Sequence, residues 1–224
     1  MHSKKRNKMK TYRFELTGLT PLLMHADDVE AADQIAEIRN KLRADNKSVA
    51  GDDRSPPDTW KSYMYRGDGK IVMPTDNLRT LLVTAGALVQ QSGRRTYKKE
   101  TQSMMAFCDV FFPLIVKGKE VDASKVDAVA GTFSEQASAV KQFGFELFVK
   151  RARVGASKHI RVRPRFGVWA LAGTFDVFNE AILPRPVVEA IWAAATRCGL
   201  GDWRPTSPKS PGPFGRFEAK VMAA

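Results

Sequence analysis

Along residues 11 to 24, TYRFELTGLTPLLM, apolar and polar positions alternate around Tyr12, Phe14 and Leu16. That is the period of a half-buried strand. From 26 to 48 the period lengthens: Val29, Ala32, Ile35, Ile38 and Leu42 stand three or four apart, which predicts a helix capped by Asp27 or Asp28. The polar, Pro-rich stretch VAGDDRSPPDT breaks the pattern, and YRGDGKIVMP reads as a turn followed by a short strand. TDNLRTLLVTAGALVQQ reads as a helix, capped by Thr75 or Asp76, with Leu78, Leu81, Leu82 and Leu88 inside.

The basic stretch GRRTYKKETQ reads as mobile surface, and DVFFPLIV as a buried strand whose Pro113 argues for an edge or a bulge. Residues 118 to 142 are polar and carry one short helix candidate within SEQASAVKQF. FELFVKRARV, KHIRVRPRF and VWALAGTFDVFN are strand candidates. LPRPVVEAIWAAATRCGL is a helix with its prolines in the first turn and a stripe of Val188, Ile191, Trp192 and Ala195. A long Gly- and Pro-rich connection follows, and GRFEAKVMA closes as a strand. Short β-α-β units with antiparallel neighbours predict an α+β, ferredoxin-like sheet covered by helices.

Composition sharpens this picture. In a chain of 224 residues, 43% hydrophobic content supplies a core for one large domain, and no apolar run is long enough to span a membrane. The formal net charge of +12 exceeds what solubility needs and favours a polyanionic partner. The basic residues do not gather on one amphipathic helix, so nucleic acid fits better than a membrane surface. The basic tail, residues 1 to 10, is read as a solvated end or as an arm touching phosphate. Cys108 and Cys198 lie far apart with no CxxC pair, so neither a metal site nor a disulfide framework is expected, and a reducing cytoplasm fits.

Three groups of residues bear on chemistry. The connection after Cys198 holds Gly201, Trp203, Arg204, Lys209, Gly212, Gly215 and Arg216. Glycine lets backbone amides approach a ligand, and successive amides form an anion nest, so this loop is a candidate phosphate cradle. It matches neither the phosphate-loop nor the dinucleotide pattern, so no cofactor is expected. The alternative is a surface loop pinned by Trp203 and Phe214.

The second group is Lys150, Arg151, Arg153, Lys158, His159, Arg161, Arg163 and Arg165. In an extended chain Arg161, Arg163 and Arg165 share one face and form a guanidinium row suited to a phosphate backbone. The third group is aromatic: Trp60, Tyr63, Tyr65, Tyr97, Trp169 and Trp203 stand near charge and, where exposed, would stack on unpaired bases. Catalysis has only weak candidates, His25 with Asp27 or Asp28, and no second group fixed by spacing. Asp52-Asp53 reads as solvated loop, not as a metal site.

Three stretches, YRFELTGLTPLLMHADDVE, YRGDGKIVMPTDNLRTLL and GLGDWRPTSPKSPGPFGRFEAKV, resemble the RAMP superfamily of CRISPR-associated proteins, above all the repeated backbone subunit of its effector complexes. Met73-Pro74 and Arg79 stand where that family has a strand, a proline turn and a basic residue early in a helix. The second motif departs from the family at Thr75, Asp76 and Asn77, and residues 90 to 150 do not align.

The resemblance implies a modified RRM/ferredoxin-like fold over 1–224 with an inserted thumb near 26–62. It implies a non-catalytic subunit that oligomerises along a single-stranded guide RNA, meeting further copies, other effector subunits and target nucleic acid. The alternatives are a RAMP-type endoribonuclease, with Asp27 or Asp28 in the loop after the first strand, and a single-stranded DNA-binding or annealing protein of a mobile element.

Overall fold

A computed structural model describes residues 9–26, 37, 59–154, 157–208 and 210–224; at 151–154 and 157–159 it describes the backbone alone. The strands that matter below are β1 (Lys10–Gly18), β2 (Leu22–Leu23), β3 (Lys70–Pro74), β4 (Phe145–Val154), β5 (Ser157–Phe166), β6 (Ala170–Val177) and β7 (Phe217–Ala223). The helices are α1 (Thr75–Gly86), α2 (Lys98–Met104), α3 (Ala123–Asp127), α4 (Phe133–Ala139) and α5 (Arg185–Cys198). The fold is α+β with antiparallel sheets.

The alternation in β1 does what its sequence dictates: Tyr12, Phe14 and Leu16 are buried, while Thr11, Arg13, Glu15 and Thr17 face solvent. β1 lies between β6 and β7 and pairs antiparallel with both. Those two flanking strands therefore run parallel to each other, and α5 links them, so β1 occupies the middle of a split β-α-β unit. Short strands Met105–Ala106 and Ile115–Val116 pair with the far edge of β6.

The buried stripe of α5 is the predicted one, Val188, Ile191, Trp192 and Ala195. Trp192 stacks on Phe14 at 5.2 Å between ring centroids and lies 5.6 Å from Phe175. Phe107 and Phe112 complete the cluster around Phe14. Each buried ring contributes roughly 1.5–3 kcal/mol to stability. α1 packs against α5 and α2 against α1.

A second sheet stands beside this core. β4 and β5 form a long hairpin, and β2 pairs with the end of β5 through Leu22↔Phe166 and Leu23↔Arg165.

Several expectations are corrected. α1 begins at Thr75, directly after Pro74, and neither Thr75 nor Asp76 caps it. It ends at Gly86, where a side chain would meet Thr101 Oγ1 of α2 at 2.5 Å, so glycine admits α2 this close; Leu88, beyond the helix end, is 58% exposed. GRRTYKKETQ is ordered: it forms a small hairpin with Gln90–Ser92 and then α2, whose Thr101 is buried against α1. The polar region 118 to 142 holds two capped helices. Asp122 caps α3, and Thr132 with Glu135 forms a capping box on α4. The helix expected over 26–48 and most of the expected thumb, 26–62, lie outside the described residues. Its last part is a short 3-10 turn, Trp60–Tyr63, and it is buried.

Candidate nucleic-acid interface

The C-terminal connection, residues 199 to 216, is fastened to the segment between β1 and β2. Leu19 and Thr20 donate their amides to the Arg216 carbonyl (2.8 and 3.1 Å), Gly215 donates to Pro21 O (2.8 Å) and Asp202 donates to Leu23 O (2.9 Å). Two glycines make this approach possible. At Gly201 (φ +79°) a Cβ would stand 2.4 Å from Leu23 O, and at Gly215 (φ +71°) one would stand 1.8 Å from Leu200 O. The glycines bring backbone against backbone, the same property that would bring it against a ligand. The Gly212 amide donates to Arg204 O at 3.1 Å. The amides of Gly212 and Gly215 are thus engaged inside the protein and do not form the expected open nest.

The guanidinium row and the connection share one side of the molecule. Direct cross-strand pairing puts Glu146 opposite Arg165, Phe148 opposite Arg163 and Lys150 opposite Arg161. Phe214 packs on Phe148 at 5.6 Å, Trp203 stacks on Phe214 at 6.3 Å, and the Lys150 ammonium lies 2.7 Å from the centre of the Trp203 ring. Burial lowers the Lys150 pKa below its ordinary 10.5, while the ring face beneath favours the cation.

The connection therefore covers part of the row, and the three arginines do not stand free as a ladder. Arg163 is 6% exposed. Its guanidinium lies 3.9 Å over the Tyr63 ring, its Nε is 3.4 Å from Asp202 Oδ2, its Nη1 donates to Val162 O (2.9 Å), and its Nη2 is 3.3 Å from His25 Nε2. Arg165 pairs with Glu146 and lies 4.8 Å over Phe148. Arg161 stays half-buried at the edge of this packing. The side chains of Arg151, Arg153, Lys158 and His159, and residues Asp27, Asp28 and Lys209, lie outside the description.

Next to this packed region runs a cavity of about 250 Å³. One wall is α1, through Asn77, Thr80 and Thr84; the other is the start of the connection, through Gly199 to Asp202, Arg204 and Thr206; His25 and Tyr65 also line it. The Tyr65 hydroxyl donates to His25 O at 3.0 Å, and Arg204 Nη1 donates to Gly201 O at 3.0 Å. Arg216 and Arg79 are exposed, and Arg79 sits on α1 without lining the cavity.

Asp202, Asn77, Thr80 and Thr84 escaped the sequence reading. The polar stripe at 77, 80 and 84 has helical spacing and was legible in principle; Asp202 has no such signal, because its partners are remote in the chain.

Of the aromatic candidates, Trp60, Tyr63 and Trp169 are buried, with Trp60 Nε1 donating to Gln136 Oε1 (2.5 Å) and Trp169 Nε1 to Thr20 O (2.9 Å). They are core, not stacking platforms. Tyr65, Tyr97 and Trp203 are half-buried. The solvent face of the main sheet carries Arg13, Glu15, Thr17, Ala172, Glu218 and Lys220, and none of these is aromatic.

His25 Nδ1 stands 3.8 Å from Asp202 Oδ2, where a carboxylate would orient a histidine base. Its Nε2, the nitrogen that would take a proton, faces Arg163. Among the described residues no group of three or more His, Cys, Asp or Glu side chains is placed to hold a metal ion, and no helix is long and apolar enough to cross a membrane.

No family model matches the chain, and no curated protein matches it either.

Proposed function

We propose that this protein is an RNA-binding backbone subunit of a CRISPR-type ribonucleoprotein, a modified ferredoxin-like domain that assembles in copies along a single strand. The sheet order β7, β1, β6 and then Ile115–Val116, with α1 and α5 as the two crossover helices, supports the ferredoxin-like reading. The observation that carries the functional reading is the lining of the cavity. His25, the pair Tyr65 and α1, and the 199–206 segment come from the three separate stretches that resemble the RAMP superfamily, and they meet around one space. Stretches that belonged only to packing would have no reason to converge on a polar groove.

In this reading Arg204, Arg216 and Arg79 meet phosphates. Asn77, Thr80 and Thr84 offer polar groups to ribose 2′-hydroxyls, which DNA lacks. Base stacking on the open sheet, as RRM domains do it, has no support within β1, β6 and β7, because none of their outward residues is aromatic. The test is polarisation of a labelled single-stranded RNA against the same sequence in DNA, over a range of salt. RNA should bind more tightly, with affinity falling steeply as salt rises. Equal binding of both strands would favour the DNA-binding alternative, and no binding at low salt would overturn the proposal.

The endoribonuclease reading draws on the approach of Asp202 to His25. Metal-independent cleavage of labelled RNA that disappears in His25→Ala would replace the non-catalytic reading with this one.

A further inference from the structure

A second cleft, of about 490 Å³, opens between the Ile115–Glu120 hairpin, α3 and the 140–143 turn. It is lined by Lys117, Lys119, Lys125, Asp122, Gln142 and Phe143, among others. The two carboxylates at its margin are committed elsewhere. Asp122 accepts hydrogen bonds from the Ser124 amide, the Ser124 hydroxyl and the Lys125 amide, and Glu120 pairs with Lys70 at 3.2 Å. The three lysines are exposed, and none makes an ion pair among the described residues. Three exposed lysines therefore line one concavity together with Glu120, which pairs with Lys70, and Asp122, whose charge interacts with Lys125, so cations outnumber carboxylates there.

The position of Lys117 points to use. Residues 117 and 118 form the two-residue loop of the hairpin, both at positive φ (+50° and +77°), as a type I′ turn requires. Asparagine, aspartate or glycine suits the first of these positions; lysine there is a strained choice. Gly144 leaves room for its stem, since a Cβ at 144 would lie 3.3 Å from Lys117 Cδ. Phe143 adds a half-buried ring, stacked on Phe145 at 6.3 Å, to the same wall. Cations beside an aromatic wall match a phosphate attached to a base.

We propose that this cleft is an anion site that takes a nucleotide unit, its phosphate among Lys117, Lys119 and Lys125 and its base against Phe143. The site is separate from the groove at α1 and does not depend on the reading of that groove. The phosphate belongs either to a free nucleotide, a monoester with about two negative charges at neutral pH, or to a residue within a strand, a diester with one.

The experiment is titration of the whole chain with AMP, with adenosine, and with a short oligoadenylate. It is done on wild type, on the triple variant Lys117→Gln/Lys119→Gln/Lys125→Gln, and on Arg204→Ala as the control for the groove. If the site takes free nucleotide, AMP binds, adenosine binds at least about tenfold more weakly, and the triple variant loses about tenfold in AMP affinity while Arg204→Ala does not. If it takes a strand, AMP fails to bind, and the oligonucleotide loses affinity and about 0.7 units of salt slope per phosphate contact removed, about two units at most, in the triple variant, on top of any loss in Arg204→Ala. Lys117→Asn separates binding from folding: it suits the turn, so the unfolding midpoint holds or rises while affinity falls. Unchanged affinity of both AMP and oligonucleotide in the triple variant, or AMP binding that is equally good for adenosine, overturns the proposal whether or not the groove binds RNA.

Discussion

The carboxylate of Asp202 lies 3.4 Å from Arg163 Nε and 3.8 Å from His25 Nδ1, so one loop aspartate faces a buried guanidinium and a histidine at once. It ties together β5, the segment after β2 and the C-terminal connection. Replacing it with alanine removes the Asp202 carboxylate from beside the buried Arg163 guanidinium. A fully buried pair broken this way costs roughly 3–5 kcal/mol; with the Asp202 side chain one-third exposed, Asp202→Ala should cost about 2 kcal/mol. Chemical denaturation measures it, and a loss no larger than that of an exposed surface substitution would show that the pair contributes little.

Gly215 and Gly93 both have positive φ, +71° and +55°, but differ in what surrounds them. A Cβ at 93 meets nothing within 4 Å, whereas one at 215 would meet the Leu200 carbonyl at 1.8 Å. Gly93→Ala should cost about 1 kcal/mol from backbone conformation alone. Gly215→Ala should cost at least about 3 kcal/mol, because two backbone segments must part. Equal unfolding midpoints for the two variants would contradict this account of the connection.

The Ser124 hydroxyl, then the Lys125 amide, holds the Asp122 carboxyl below its ordinary pKa of 3.8. The folded state therefore binds this proton less readily than the unfolded chain. The stabilisation is fully present above pH 3.8 and is lost as pH falls through the lower, folded value. Asp122→Asn keeps a cap but has no charge to titrate. Between neutral pH and pH 3 its unfolding midpoint should fall less than that of the wild type, as read by thermal melts at matched ionic strength.

Trp203 has φ +54°, an outlying conformation for a bulky residue, yet it is held between the Lys150 ammonium and the Phe214 ring. Trp203→Gly relieves the backbone but loses both contacts. We expect a net loss of about 1–2 kcal/mol, since ring burial and stacking outweigh the strain. A stabilised variant would reverse that order.

The sequence reading recovered the elements with a strong period. β1, the β4–β5 hairpin strands, α5 and β7 fall where alternation or the apolar stripe put them, because in each the buried face is fixed by local spacing. It failed where the deciding contact is distant. The approach of Thr101 of α2, which requires glycine at 86, comes from another element and cannot be read from α1 itself. The arginines of β5 share a face, as alternation requires, but the chain that covers them arrives from residues 199 to 216. Charge density on a strand says nothing of what will lie on it, so a row suited to phosphate and a row clasping a loop look alike in one dimension. The capping signatures at Asp122 and at Thr132 with Glu135 were readable, but low hydrophobicity concealed them.

The central place of β1 has a bearing on how the chain matures. Both of its neighbours are made more than a hundred and fifty residues later, so β1 waits for everything up to Val177 before it gains a partner in its own sheet. Until then Tyr12 and Phe14 lack the Phe175 and Trp192 rings that later close over them, and only Phe107 and Phe112 are there to meet Phe14, so the growing chain carries an incomplete apolar layer for most of its synthesis.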